Sequence, residues 1–390
     1  MPAKHLCYME TNIVYSKPVT GKNFIGRKNE SIILGNLLRQ GENVVIYEPP
    51  KTGKTSLIQQ TFFNMRTSGE MFSLVDFSLG NVRTAADFMM RLGSEVFKAA
   101  TSSPEEYPGL VERYLGGTHF VFDEDIFASR GQVISLNWDM DLNDIDAVIN
   151  LPYRMAGESG QRIFILIDEF QNIMLTEDGE KLLKTMESIM KGIQSPMRKM
   201  ATFIFCGSRV NAMKFIFEEK RFFHRQVERV KISPIEDKTI ADANIKMFLS
   251  NGKVIDRDLM LGTCKLFKNN VWYINHFCAI CNGIAKGYIM ESMLEQALDE
   301  MIAIHEPRFR AIMADLTTFQ ICLLRAIMDG YTKFSSAEVI ERYNLNSSAN
   351  VRRLKDALCK KEIVTFSDRE DPEILDPLFE YWVGKYFFEI

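Results

Sequence analysis

Residues 43–60, NVVIYEPPKTGKTSLIQQ, restrict the fold of this chain more than any other stretch. Val44–Tyr47 is a β-branched and aromatic run that breaks at Pro49, Pro50 and Gly53, and a helical pattern starts at Lys54. A strand, a tight loop and a helix N-terminus in that order bring backbone N–H groups and the positive end of a helix dipole to one point, which makes an anion site. In such a loop Lys54 brings a mobile charge to the β- and γ-phosphates of a nucleotide, and the Thr55 hydroxyl is offered to Mg²⁺. Pro50, Lys51, Thr52, Gly53, Lys54, Thr55 and Ser56 are therefore the expected phosphate-binding residues. The usual pattern, G-x-x-x-x-G-K-[ST], begins with glycine where this chain has Glu48. A carboxylate at that position has to face away from the phosphates, because repulsion would weaken binding. Pro49 and Pro50 are expected to preset the loop.

The second strong signal is Ile163-Phe-Ile-Leu-Ile-Asp-Glu-Phe-Gln171. Five apolar residues in a row describe a strand buried on both faces, as in a parallel sheet. An acidic pair ending a buried strand is costly unless a cation or water uses it. Asp168 is the candidate for the Mg²⁺ shell, and Glu169 for polarising the attacking water. The plainer alternative is a strand ending in a solvated turn.

Composition supports an ordinary globular chain. Of 390 residues, 46% are hydrophobic and 25% charged, with a net charge of −4. That balance excludes a uniformly basic surface, so any nucleic-acid contact must come from a local patch. No run reaches the roughly 18 apolar residues of a membrane helix, and the N-terminus lacks an apolar signal core. The seven cysteines are scattered and odd in number, which points to a reducing, cytoplasmic setting without a disulfide framework. Cys278-x-x-Cys281 lies in an apolar helical run and reads as a buried helix face. The five histidines never fall at ligand spacing, so no protein-held metal site is expected from them.

Taken in order, residues 1–23 read as an extended lead-in, followed by a turn at Phe24–Glu30 and a helix over 31–38. After the phosphate loop, helix 54–66, strand 71–77 and helix 84–100 alternate as in a parallel α/β fold. Residues 102–140, punctuated by Pro104, Pro108 and glycines, are expected to be an irregular insertion with a short strand at Val133–Leu136. Helical spacing at Leu142–Ile149 is expected to end or kink at Pro152. Helix 179–194 and strand 201–206 follow, the latter closing on Gly207-Ser208-Arg209. Ser208 is a candidate sensor of the γ-phosphate; its alternative is an N-cap for a helix over 209–219. Arg209, Arg221, Arg225 and Arg229 are candidate cations for the γ-phosphate, with surface charge the favoured reading for Arg229. Val230–Ile235 is expected as the last strand of the sheet.

The period is helical throughout 236–315, which predicts an all-α domain placed as a lid. The segment 316–390 reads as helices 317–328, 336–343 and 347–361 followed by a β-hairpin, a winged helix-turn-helix. Helix 347–361 carries Arg352, Arg353, Lys355, Lys360 and Lys361 against one acid, Asp356. Residues 311–390 as a whole hold ten Lys and Arg against thirteen Asp and Glu. A packing module is therefore favoured over a DNA reader.

On these motifs the chain resembles the archaeal-type ATPases, a STAND/AAA+-like branch of the P-loop NTPases. The resemblance rests on F-I-G-R-x-x-E at Phe24–Glu30, P-x-T-G-K-T-S-L at Pro50–Leu57 and I-D-E-F-Q at Ile167–Gln171. It continues through C-G-S at Cys206–Ser208 and D-P-L-F-x-x-W at Asp376–Trp382. It implies an additional-strand, catalytic-glutamate core over 1–235, a helical lid over 236–315 and a winged helix over 316–390. ATP is implied rather than GTP, no guanine-reading motif being present. By that likeness Gly26, Arg27 and Glu30 lie near the adenine or brace the mouth of its pocket. The segment Asn269-Asn270-Val271-Trp272 departs from the family's lid motif, so no lid contact to adenine is assigned.

The expected function is a slow, Mg²⁺-dependent ATPase acting as a nucleotide-controlled switch, partnered by another protein or by itself. Catalysis is expected from Lys54, Glu169 and Ser208, with Mg²⁺ on Thr55 and Asp168. The alternatives are an ATP-gated DNA-binding protein and an ATP-binding scaffold without turnover.

Overall fold

The computed structural model describes residues 13–367 and 369–389; the first half of the lead-in and Asp368 of the expected acidic turn lie outside them. The chain divides into two compact units. One holds Lys28–Glu48 and Thr61–Ile232, and the other holds the residues up to Arg27, Pro49–Gln60 and those from Ser233 onward.

In the first unit, α1 (Lys28–Gln40) leads to β1 (Asn43–Tyr47), and the phosphate loop joins β1 to α2 (Lys54–Thr67), whose second half belongs here. β2 (Phe72–Ser78) and α3 (Ala85–Ala100) follow. Thr84 caps α3 in a reciprocal capping box with Asp87, an arrangement contributing about 1 kcal/mol. The expected stripe on α3, Phe88, Met89, Leu92, Val96 and Phe97, is wholly buried.

The segment expected to be irregular is more ordered than that. It holds α4 (Tyr107–Leu115), β3 (Phe120–Val121), α5 (Glu124–Arg130) and β4 (Ser135–Leu136), with β3 and β4 paired antiparallel. Its prolines start helices instead of breaking them: Pro104 opens a 3-10 turn and Pro108 lies in the first turn of α4, where no intrahelical N–H is needed. Pro152 likewise does not end its helix, since α6 runs Leu142–Ser159 with the proline inside and buried.

β5 (Arg162–Asp168), α7 (Gly179–Gly192), β6 (Ala201–Gly207), α8 (Val210–Lys214) and β7 (Val227–Arg229) complete the unit. The last strand comes a few residues earlier than the expected 230–235: Val230 still donates to the Val45 carbonyl at 3.0 Å, but Pro234 has no N–H to extend the ladder. Among the described residues, five strands form one sheet in the order β2-β5-β6-β1-β7, and every pairing is parallel. β6 is thus the additional strand between β1 and the acidic strand β5. Burial of all seven β6 residues and five of the seven in β5 reflects a sheet covered on both faces. Phe170, Phe203, Phe205 and Phe223 are among its largest buried side chains, each contributing about 2 kcal/mol by burial.

The second unit is mainly helical: α9 (Asp237–Ser250), β8 (Val254–Ile255), α10 (Arg257–Leu266), α11 (Val271–Ile284), β9 (Tyr288–Ile289) and α12 (Glu291–Ala314). The short parallel pair β8–β9 is an addition to the expected all-α reading. Cys278 and Cys281 are buried in α11, and burial pushes the Cys281 thiol up to about 12. The winged helix follows as α13 (Thr318–Met328), α14 (Ala337–Arg342), α15 (Ser348–Lys360), the hairpin β10 (Val364–Phe366) and β11 (Pro372–Ile374), and α16 (Pro377–Trp382). The side chains of Thr317, Ser336 and Ser347 accept N–H groups at the starts of the three helices α13, α14 and α15. One hydrophobic core runs from the helices of 236–315 into the winged helix; Phe309 of α12 meets Phe379 and Trp382 of α16, each at 5.6 Å between ring centroids.

Candidate functional site

The loop between β1 and α2 is held by its own side chains. Lys54, 7% exposed, donates from Nζ to the Pro49 carbonyl at 2.9 Å, and Thr52 Oγ1 donates to the same oxygen at 2.8 Å. The lysine ammonium is thereby held against an oxygen acceptor within the loop. Gly53 has φ +89°, and a Cβ there would meet the Arg27 guanidinium at 2.8 Å. Arg27 donates to the Thr52 carbonyl, so the Phe24–Glu30 turn braces the phosphate loop itself. Gly26, at φ +64°, lies so close to Ile235 that a Cβ would sit 2.8 Å from its Cγ2. Only glycine combines that backbone with that approach.

Two residues at the start of α2 hold the lead-in. Ser56 Oγ accepts the Val19 N–H at 3.1 Å, and Gln60 Oε1 accepts the Gly21 N–H at 2.6 Å. A cavity of about 260 Å³ opens between residues 14–19 of the lead-in, residues 51–56 of the loop, and Val271, Trp272 and Asn275 of α11. All lie in the second unit. Pro50 is exposed and is not among the lining residues, whereas Lys51, Thr52, Gly53, Lys54, Thr55 and Ser56 are. Arg27 also lines the cavity, while Gly26 and Glu30 do not.

Lys51 has φ +67° and extends over the Trp272 ring, with Nζ 3.7 Å from the centroid. Burial, and next the Arg308 charge, lower its pKa to about 8. Trp272 belongs to the 269–272 segment that departs from the family's lid motif; no local pattern marks it, because its partner is far away in sequence.

The carboxylates are placed by the sheet. The register Tyr47↔Gly207, together with Ile167↔Phe205 and Ser78↔Asp168, levels the carboxyl ends of β1, β6, β5 and β2. Asp168 and Glu169 therefore emerge at the edge where β1 gives way to Glu48, the edge at which open α/β sheets bind ligands. Glu169 has φ +54°, a strained conformation for a residue with a side chain. Its carboxylate accepts the Ser208 hydroxyl at 2.9 Å and the Gln171 side-chain amide. Gln171 is 2% exposed, and Gly207 makes room for it: a Cβ there would lie 2.6 Å from Gln171 Oε1.

Ser208 is thus bonded to Glu169. The helix behind it starts at Val210, with Arg209 at the cap position making no side-chain cap bond. Gln171 ends the I-D-E-F-Q run, and nothing in that run marks it as a partner of Glu169. Glu48 turns its carboxylate toward the Ile232 N–H at 3.5 Å. Arg229 pairs with Glu218 and covers the Tyr47 ring at 4.0 Å, which makes it structural. Arg209, Arg221 and Arg225 are exposed.

One further cluster is His119, Asp141 and Asp144. Asp144 is fully buried and its carboxylate accepts the N–H groups of His119 and Asp141 at 2.8 Å each, as well as His119 Nδ1 at 2.9 Å. Those bonds account for it as the third helical residue of α6, closing a capping box with the N-cap Asp141.

No curated protein matches the chain by sequence. A sequence profile described as a probable winged helix domain matches residues 307–385. Among solved structures, the chain is similar to the Walker-type ATPase of Pyrococcus abyssi, with a TM-score of 0.65 at 13% identity over 95% of this chain and 98% of that one. It is also similar to the ADP form of the ORC2 protein of Aeropyrum pernix, with a TM-score of 0.55 at 13% identity over 92% and 93% of the two chains. The likeness shows the fold: a parallel α/β core of the P-loop NTPase type followed by a winged helix. No helix among the described residues is long and apolar enough to cross a membrane.

Proposed function

We propose that the chain is an ATP-binding, slowly hydrolysing, Mg²⁺-dependent P-loop ATPase that works as a nucleotide-controlled switch. The observation that carries this reading is the Glu169 carboxylate, held by Ser208 and Gln171 at the carboxyl edge of a parallel sheet. A carboxylate held by two donors keeps its direction, as a group that aligns a water must.

Lys54 and the N–H groups of the loop offset the negative charge on the transferred phosphoryl group, and Glu169 orients water in line with it. Ser208, bonded to that carboxylate, is placed to respond when the γ-phosphate leaves. Thr55 and Asp168 offer hard oxygen donors, the type Mg²⁺ takes, and would hold the ion, which would supply positive charge against that of the phosphates. The cavity beside residues 51–56 supplies apolar surface from Val14, Val19, Ile25 and Val271, which suits a nucleoside. ATP is preferred to GTP because the sequence has no guanine-reading motif.

The test is calorimetric titration with Mg-ATP beside a phosphate-release assay, on the wild type and Glu169→Gln. Binding with slow release in the wild type, and binding without release in the variant, is the expected result. Absence of any binding heat removes the reading. Binding with equal release from both proteins removes the role of Glu169.

A further inference from the structure

Lys51 stands in an unusual position for a lysine of a phosphate loop. Among the described residues its ammonium group has no hydrogen bond and no ion pair. It rests 3.7 Å from the Trp272 centroid and 5.2 Å from that of Tyr273. Both rings belong to the first turn of α11, which Asn270 fixes by accepting the N–H groups of residues 272 and 273 at 3.1 and 3.2 Å. The left-handed backbone at Lys51 is the kind of strain that persists only where surrounding contacts hold it.

The same turn is tied into the winged helix. Tyr273 donates its hydroxyl to Asp376 at 2.8 Å. Arg308 of α12 donates to that carboxylate at 2.6 Å and to the Tyr273 oxygen at 3.2 Å. Asp376 in turn caps α16, accepting the N–H groups of Leu378 and Phe379 at 3.0 and 3.1 Å. An uninterrupted set of contacts therefore runs from the phosphate loop through α11 and α12 to the last helix of the winged domain.

We propose that Lys51 is a latch: seated on the Trp272 face of α11 it clamps the phosphate loop, and a polyphosphate draws it away, loosening α11 and the Asp376 cap of α16. The argument is one of competition. A cation over an indole ring gains an electrostatic attraction of modest size, whereas a polyphosphate offers full negative charges and charge-assisted hydrogen bonds. One ammonium group cannot satisfy both at once, so its two positions define the two states that coupling requires. The inference rests on the nucleotide-binding reading above and adds how occupancy reaches the winged helix.

The experiment is hydrogen exchange on the full chain, read in peptides covering 271–284 and 376–388, with binding measured in parallel by calorimetry. The probes are Mg-ATP and Mg-tripolyphosphate; the second has no base and isolates the phosphate effect. In the wild type, exchange should rise in both peptides with either probe. In Lys51→Met it should be raised without any probe and move no further. A second variant, Asp376→Asn, should raise exchange in 376–388 alone and leave the 271–284 response to nucleotide in place. If the wild type binds Mg-ATP with no change in either peptide, or if Lys51→Met responds as the wild type does, the latch is refuted while nucleotide binding stands. If no binding heat appears, the functional reading falls and takes the latch with it.

Discussion

Ser208 Oγ lies 2.9 Å from Glu169 Oε2 and joins the carboxyl ends of the adjacent strands β6 and β5. A hydrogen bond to an ionised carboxylate is worth about 1.5–3 kcal/mol, enough to fix the direction of the side chain. Replacing Ser208 by Ala removes that bond and leaves Gln171 as a donor. Turnover of Mg-ATP should then fall about tenfold, with nucleotide affinity within about threefold of the wild type. Glu169→Gln keeps the shape and loses the charge, so its turnover should fall at least about a hundredfold. Phosphate release under single-turnover conditions, paired with calorimetry, separates the two effects. Equal turnover in Ser208→Ala and the wild type would remove the positioning role.

Lys54→Ala should weaken Mg-ATP binding by about a hundredfold or more, since it deletes a charge-assisted contact to the phosphates. Glu48→Gly is the contrasting case. The Glu48 carboxylate is turned toward the Ile232 N–H at 3.5 Å, a long contact that holds the side chain at the sheet edge. The variant should keep ATP affinity within about tenfold, or roughly 1.4 kcal/mol. A larger loss in titration would mean that Glu48 takes a direct part in binding.

The parallel core was legible because it depends on local pattern. The apolar run at Ile163–Ile167 and the stripe on α3 each predict their own burial, and the Gly53-Lys54-Thr55 turn predicts its own helix. What escaped was decided between distant segments. Gln171 acquires its place only when β5 and β6 are adjacent, so that Gly207 can leave room for it. Trp272 meets Lys51 from more than two hundred residues away, and nothing near either residue announces the other. The prolines at 104, 108 and 152 misled for a different reason. Proline breaks helices on average, but it is tolerated in a first turn, and within α6 the buried residues on either side hold the helix together.

Lys51 also gives nucleotide binding a distinctive pH dependence. The groups around its ammonium are Arg308 and His305 from α12, His276 and Tyr273 from α11, and Asp376 before α16. Burial, then Arg308, lower its pKa to about 8, so below that pH the lysine is charged and ready for phosphate. A bound polyphosphate raises the pKa again, and the complex therefore takes up a proton when it forms above about pH 8. By linkage, affinity should fall as pH rises through about 8, by at most about tenfold per unit. Calorimetry in two buffers of different ionisation enthalpy measures the proton uptake directly. Lys51→Met should abolish it, and an unchanged uptake in that variant would assign the effect to another group.

The His119–Asp144 pair predicts a separate dependence in folding stability. The hydrogen bond to Asp144 raises the His119 pKa above its ordinary value. Burial pushes the Asp144 carboxyl up, but the N–H groups of Asp141 and His119 and the imidazole bring it below the usual carboxylate value. The contribution of His119 is complete below its unfolded pKa and is lost as pH rises through the raised folded one. That of Asp144 is present above its unfolded pKa and is lost as pH falls through the lowered one. The pair therefore stabilises most between the ordinary carboxylate and histidine values, about pH 4 to 6.5. His119→Gln should lower Tm most in that range, with the difference from the wild type shrinking as pH rises through the raised histidine value. A Tm difference independent of pH would show that the histidine acts by shape and not by charge.

The winged helix offers duplex DNA less charge than its sequence suggests. Of the five cations on α15 and its C-cap, Lys355 pairs with Glu370 at 2.9 Å and lies 4.3 Å from the Phe366 ring centroid. Lys361 pairs with Asp315. Arg352, Arg353 and Lys360 remain exposed. Each phosphate neutralised on B-DNA adds about 0.9 to the slope of log affinity against log salt, so these three side chains support a slope no steeper than about −3. A surface with an overall acidic balance of ten cations to thirteen acids over 311–390 should bind duplex DNA only weakly at physiological salt. Fluorescence anisotropy with a duplex across a salt series, with and without Mg-ATP, measures both quantities. Weak binding with a shallow slope is expected, and Arg352→Ala with Arg353→Ala should remove most of it. Tight binding with a slope well beyond −3 would mean that cations elsewhere on the chain complete a DNA site, and would favour a nucleotide-gated DNA-binding protein over a switch that acts on another protein.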